Sequence, residues 1–243
     1  MCGRYTLTKQ EGLVEDLEAA LDPATPQSEW WKPRFNIAPT QPAPVVTLRD
    51  GARVLELMRW GLVPHWARDK KAPLMINARV ESIESKPVFR DALGRKRCLV
   101  PADGFYEWKH AGKVKTPMFV HPTEQRFVAF AGLWAHAPRR EAPNSTIDRE
   151  GAARLRSFTI ITGPANALVA PIHDRMPVVL DRSAWAAWLD PALDADGAHA
   201  LLGVPPVGDW RAEAVSPWVN KADHDDPRCI EPASGSAQRS LFE

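Results

Sequence analysis

Cys98-Leu99-Val100, Phe105-Tyr106-Glu107-Trp108, Met118-Phe119-Val120 and the run from Phe127 to Trp134 decide the fold. Each is short, rich in β-branched and aromatic side chains, and bounded by turn residues. The middle of the chain therefore reads as β. Toward the N-terminus, Arg4 to Leu7 is strand-like, and Val45 to Leu48 and Arg53 to Trp60 flank Asp50-Gly51, a strong hairpin signal. Toward the C-terminus, Ser157 to Thr162 and Val178-Val179-Leu180 are further strands, and Trp218-Val219-Asn220 is expected as the last one. Helices are few. Thr8 and Glu11 have the spacing of a capping box ahead of an apolar face made by Leu13, Val14, Leu17 and Leu21. Trp185, Trp188 and Leu189 lie on one face of a second helix, and Ala198 to Leu202 suggests a third. The pattern predicts one α+β domain over residues 1–231, with a mobile polar insertion at 136–156 and a disordered tail at 232–243.

The totals restrict the function classes. A chain of 243 residues with 44% hydrophobic and 25% charged residues can bury a sizeable core. A formal charge of +1 gives no bulk attraction to nucleic acid, so any such binding needs a local basic groove. There is no long uncharged apolar run and no signal-peptide core, so the expectation is a cytoplasmic protein without a membrane partner. Cys2, Cys98 and Cys229 are odd in number and far apart, which argues against a disulfide framework or a structural zinc site. Ten tryptophans and twenty-three prolines fit short strands joined by well-fixed loops.

The first five residues, Met1-Cys2-Gly3-Arg4-Tyr5, carry the most distinctive chemistry. Removal of Met1 is expected before a small residue and leaves Cys2 with an amine and a thiol on adjacent carbons. The reference pKa values, roughly 7.7–8.0 for the amine and about 8.5 for the thiol, give both groups reactive fractions near neutral pH. Amines condense with aldehydes and thiolates are strong nucleophiles, so an aldehyde captured by nitrogen first and sulfur second closes a thiazolidine. The plain alternative is a small residue near an inert terminus.

Other segments place polar groups among apolar ones, where burial is costly without a purpose. Asn77 could hold an amine in place or cap a following helix, and Arg79, two residues on, could grip a phosphate. Glu107, between aromatics, either has a raised pKa suited to acid–base work or points at solvent. His173 and Arg175 lie in a proline-bounded loop after a strand, and with Asp174 they fit either a functional loop or a salt-linked turn. Arg95-Lys96-Arg97 suits phosphate contact or plain solvation.

Taken together, Cys2-Gly3-Arg4-Tyr5, Asn36-Ile37-Ala38-Pro39-Thr40, Met58-Arg59-Trp60-Gly61-Leu62-Val63-Pro64, Asn77-Ala78-Arg79-Val80-Glu81-Ser82, Ala102-Asp103-Gly104-Phe105-Tyr106-Glu107-Trp108 and His173-Asp174-Arg175-Met176-Pro177 resemble the SRAP (SOS response-associated peptidase) family in content and order. The resemblance runs from Cys2 to about residue 230. It implies twisted, mostly antiparallel sheets with a barrel-like core and short flanking helices. It also implies a function in the DNA damage response, shielding abasic sites in single-stranded DNA through a covalent crosslink to the N-terminal cysteine.

Residue by residue, the resemblance makes Cys2 the crosslinking nucleophile, with Asn77 positioning its amine. Glu107 becomes the acid–base, and His173 assists opening of the sugar and reversal. Arg79 and Arg175 match phosphate-contacting arginines. With Arg4, Asn36 and Arg90 they would line a DNA groove, and Trp66 and Trp108 are candidates for stacking on bases. No cofactor or metal is implied, and the expected form is a monomer associated with the nucleoid. Outside the resemblance, Gln238-Arg239-Ser240-Leu241-Phe242-Glu243 is similar to a sliding-clamp-binding pentapeptide, with Gln238, Leu241 and Phe242 as anchors. Three other readings compete. They are an N-terminal-nucleophile amidotransferase, a thiol peptidase using Cys2, His173 and Glu107 (acting in trans or only to remove Met1), and a non-covalent single-strand binding module.

Overall fold

The apolar alternation that reads as strands becomes two sheets. A computed structural model of the chain describes residues 2–9, 11–24, 32–64, 74–124, 127–137, 146–147, 153–205 and 208–233. In chain order the elements are β1 (Arg4–Leu7), α1 (Leu13–Leu17), β2 (Ala19–Leu21), β3 (Arg34–Ile37), β4 (Pro42–Arg49), β5 (Ala52–Trp60), β6 (Asn77–Arg79) and α2 (Pro87–Arg95). They continue with β7 (Arg97–Ala102), β8 (Gly104–Ala111), β9 (Val114–Pro122), β10 (Val128–Ala137), β11 (Thr146–Ile147) and β12 (Ala153–Pro164). The last are β13 (Arg175–Pro177), β14 (Val179–Leu180), α3 (Trp185–Leu189), α4 (Ala195–Leu201) and β15 (Trp210–Ala214).

The smaller sheet is ordered β15-β9-β8-β1-β3, and the larger β11-β12-β10-β7-β4-β5-β2. In the larger sheet β5 returns to β12 through a short parallel pairing at Arg59 and Trp60. The result is a barrel-like ring that is not strictly closed, since β4 meets β7 only at Val46 and Leu99. Trp60, Phe130 and Phe158 fill its interior together with Tyr5 from the smaller sheet. Tyr5 packs edge-on to Trp60 with ring centroids 5.3 Å apart, and Trp60 stacks on Phe158. The smaller sheet is thus pinned to the larger one at the strand that carries the N-terminus.

Asp50 and Gly51, at φ of 51° and 79°, make the tight turn between β4 and β5 that the sequence requires. α3 buries Trp185, Trp188 and Leu189, as their spacing predicts. Arg97 is no phosphate ligand. Its buried guanidinium donates to carbonyls of Leu93, Gly94, Trp188, Asp190 and Leu193, tying α2 to the C-terminal end of α3.

Three local expectations are corrected. Thr8 does not cap α1: the residue before that helix is Gly12, in a left-handed conformation without a side-chain cap, and the helix has only five residues. Its backbone turns at Glu18, also left-handed, so Leu21 falls on β2 rather than on the helical face. Trp218-Val219-Asn220 lies in a 3-10 turn that starts at Pro217, and the last strand among the described residues is β15. Finally, β10 and β12 remain paired as far as Ala137 and Leu155, inside the stretch read as an insertion, and β11 pairs with β12 there.

Candidate active site

β1 lies between β8 and β3, and an acid absent from the sequence-derived candidates holds it there. The Asp103 carboxylate accepts hydrogen bonds from the Thr6 hydroxyl, from the Thr8 hydroxyl at 2.6 Å, and from the backbone N–H groups of Thr8 and Lys9. A carboxylate isolated between Ala102 and Gly104, at the bend between two largely apolar strands, was the available signal. Gly104 permits the close packing on the other side, because a Cβ there would stand 2.4 Å from the Phe119 ring.

β1 and β8 pair antiparallel, with Arg4 opposite Tyr106. The pairing ends there, so Gly3 and Cys2 lie just beyond it, at the end of the ladder where Glu107 and Trp108 follow Tyr106 along β8. Cys2 is fully buried, and its pKa is raised first by that burial and then by the negative charge of Glu107. Glu107 is 3% exposed, not pointing at solvent. Burial raises its pKa, and nearby positive charge, that of His173 included, pulls it partly back. Glu107 is therefore close enough to act electrostatically on Cys2 on one side and to feel His173 on the other.

The remaining groups converge on the end of β12. β6 runs parallel to it, pairing Asn77 with Ile160 and Arg79 with Thr162, while β13 runs antiparallel from Arg175 at Pro164 to Pro177 at Thr162. Asn77 therefore lies on a strand and caps no helix. Its Oδ1 and Nδ2 are buried and meet no partner among the described residues. The preceding carbonyl, of Ile76, accepts from Trp60 Nε1 at 2.9 Å, which links this strand to Tyr5 through Trp60.

The His173 loop is tightened by hydrogen bonds from Ala165 N–H to the Asp174 carbonyl and from His173 N–H to the Val169 carbonyl. His173 Nδ1 accepts from the Arg175 backbone N–H at 3.0 Å and also lies 2.8 Å from an Asp174 carboxylate oxygen. These two contacts require different protonation of Nδ1. The Asp174 contact, to a side chain 85% exposed, is that of the charged ring, and the Arg175 backbone bond is that of the neutral ring. In that state the proton sits on Nε2.

The expected DNA contacts separate into three groups. Arg79 is exposed at the end of β6 and Arg90 on α2. Arg4 and Trp108 lie beside each other, with the guanidinium carbon 6.0 Å from the ring centroid. Trp108 Nε1 donates to Asn220 Oδ1, and Arg4 donates to the carbonyls of Val219 and Asn220. Asn36 is corrected: it is fully buried and its amide is spent on Arg4 and on the carbonyls of Val219, Lys221 and His224, so it positions Arg4 and is closed to DNA. Arg175 is not a free cation either, since its guanidinium forms a two-bond fork with Glu81. Trp66, Met1 and the tail residues Gln238, Leu241 and Phe242 lie outside the described residues. Among the described residues no three His, Cys, Asp or Glu side chains group as metal ligands, and no helix is long and apolar enough to cross a membrane.

The abasic site processing protein YoqW of Bacillus subtilis is 39% identical over 236 residues, covering 95% of this chain and 99% of that one. The abasic site processing protein HMCES of Gallus gallus is 32% identical, covering 85% of this chain and 69% of that one. Among solved structures, a protein from Bacteroides thetaiotaomicron shares the fold with a TM-score of 0.82 at 23% identity, over 96% of this chain and all of that one. A phage-related protein from Bordetella bronchiseptica gives a TM-score of 0.64 at 31% identity, over 87% and 93% of the two chains. Residues 1–222 match the family described as SOS response associated peptidase (SRAP), and the chain belongs to that family.

Proposed function

We propose that this protein processes abasic sites in single-stranded DNA by capturing the open-chain sugar aldehyde on Cys2 as a thiazolidine, once Met1 has been removed. The observation that carries the reading is the burial of Cys2 within reach of the Glu107 charge, itself within reach of His173. The sugar ring opens when the C1′–O4′ bond breaks: O4′ takes a proton from the imidazolium form of His173, and the C1′ hydroxyl gives its proton to the Glu107 carboxylate. The Cys2 amine, oriented by the Asn77 amide, adds to the aldehyde carbon. Glu107, whose pKa burial raises, gives a proton to the departing hydroxyl, and water leaves. The Cys2 sulfur then adds to the imine carbon and its proton passes to the nitrogen. The net change is aldehyde plus aminothiol giving thiazolidine plus water.

The raised thiol pKa supports nitrogen attacking first, since the sulfur is held as the neutral thiol until the imine has formed. The same feature counts against a peptidase acting in trans, which needs an exposed thiolate. Self-removal of Met1 and a lyase-like step are finer parts of this proposal. The exposed Arg79 and the Arg4–Trp108 pair are the groups that would meet a single strand. Clamp tethering through Gln238, Leu241 and Phe242 is a separate proposal. Deleting the last six residues should abolish clamp binding, and binding that survives the deletion refutes it.

The test of the main proposal is intact-mass analysis after incubation with an abasic oligonucleotide. The wild type should gain the mass of the oligonucleotide less one water, in an adduct that survives denaturant. Cys2→Ala should bind the oligonucleotide and form no such adduct. An unchanged adduct in Cys2→Ala eliminates the proposal.

A further inference from the structure

Arg175 touches the site in two ways that no single role as a DNA contact explains. Its backbone N–H donates to His173 Nδ1 at 3.0 Å and so selects the ring tautomer. Its side chain reaches across β12. Nη1 and Nη2 each donate to one Glu81 carboxylate oxygen at 2.9 Å, and Nη2 also donates to the Thr162 carbonyl at 2.6 Å. Glu81 lies in the 3-10 turn Val80–Ser82, which follows directly on β6 and its Asn77. The Arg175 side chain is 11% exposed and that of Glu81 is 49% exposed, so the guanidinium is the fixed member of the pair.

We infer that the Arg175–Glu81 fork is a positioning strap, holding the strand that carries Asn77 and the loop that carries His173 in fixed relation across the end of β12. The inference rests on the reaction proposed above and adds two positioning residues to it. The geometry explains why the link is an arginine. A planar fork fixes both direction and distance, whereas an ammonium would pivot about one oxygen. Thr162 pairs with Arg79 on one side and Pro177 on the other, so the strap ties together segments that meet nowhere else in the ladder.

The contrary assignment is that Glu81 merely occupies a seat on Arg175 that a DNA phosphate takes over. The two assignments predict opposite signs. In Glu81→Gln the shape is kept and the ionic fork is lost. A strap predicts that single-turnover adduct formation slows by about ten- to a hundredfold, the scale of a small misplacement of reacting groups. Affinity for an undamaged single strand should stay unchanged. A phosphate seat predicts tighter strand binding and no slowing. That result, or an unchanged rate, overturns the inference.

A second readout does not depend on adduct formation. Nitrogen-15 spectra of the His173 ring should show the Nε2–H tautomer in the wild type and a mixture in Glu81→Gln, and an unaltered tautomer also overturns the strap. If the wild type forms no adduct, the functional proposal fails while the ring spectra still judge the strap. Arg175→Lys serves if Glu81→Gln does not fold. It keeps the charge a phosphate needs and loses the fork, so the strap predicts the same slowing and the same loss of tautomer.

Discussion

Asp103 accepts hydrogen bonds from both the hydroxyl and the backbone N–H of Thr8, closing the far end of the strand that begins beside Cys2. With Thr6 and Lys9 added, one carboxylate satisfies four donors, two of them backbone groups that leave the sheet at the end of β1. Removing it leaves the buried Thr6 hydroxyl and the partly buried donors of Thr8 and Lys9 without their acceptor. Asp103→Ala should cost about 3 kcal/mol in urea unfolding, the range for charged hydrogen bonds lost with their partners left behind. Adduct formation should fall with it, because β1 then carries Cys2 with less restraint. Asp103→Asn, which keeps one acceptor, should fall between. A wild-type unfolding midpoint in Asp103→Ala would remove Asp103 from this role.

Glu107 should trade stability for chemistry. Its folded pKa is raised above the ordinary carboxylate value, chiefly by burial. Between the ordinary and the raised value the folded state binds more protons than the unfolded one, so this group makes stability fall as pH rises through that window. Below the window both states are protonated and no cost remains. Glu107→Gln removes the titration. The variant should be more stable than wild type at neutral pH, with an advantage that vanishes toward acid, while adduct formation slows by about a hundredfold or more. Unfolding curves at several pH values check the sign, and an advantage that grows toward acid would contradict it.

How much of this was legible beforehand depended on the kind of signal. Short-range chemistry read well, as at Asp50-Gly51, where two left-handed residues need a particular pair, and at the β-branched runs that became β7 to β10. Spacing misled where a tertiary partner outbid it. Thr8 has a capping hydroxyl, but Asp103, ninety-five residues away, takes it. Asn36 sits in a distinctive motif, and the motif proved to fix the chain after Pro217 rather than to face DNA. For the site, Glu107 could be read as buried or solvated, and only the pairing of β8 with β1 decided it. The Glu81–Arg175 fork joins residues ninety-four apart and left no local trace.

Arg79 supplies the electrostatic test of strand binding. It is exposed at the end of β6, next to the buried Asn77 amide. Arg79→Ala should weaken binding of any single strand irrespective of sequence, and lower the slope of log affinity against log salt by about one phosphate's worth, near 0.7. The rate of adduct formation at saturating DNA should hold. A salt dependence identical to wild type would mean that no phosphate passes there.

Asn77 permits the sharpest separation of folding from function. Both polar atoms of its amide are buried without a partner among the described residues, an arrangement that costs free energy in the resting protein. Leucine has nearly the same shape and nothing to satisfy. Replacing an unpaired polar group by an apolar one of equal shape is neutral or stabilising, so Asn77→Leu should hold or gain about 1 kcal/mol in stability. The same change deletes the group proposed to orient the Cys2 amine, and single-turnover adduct formation should drop by about a hundredfold. The two effects are measured on one sample, by urea unfolding and by denaturing gel after mixing with abasic oligonucleotide. A variant that unfolds more readily would show that the amide is structurally paired after all. One that crosslinks at the wild-type rate would show that Asn77 has no part in the reaction. Only greater or equal stability combined with slower capture fits an amide kept unsatisfied for an incoming amine.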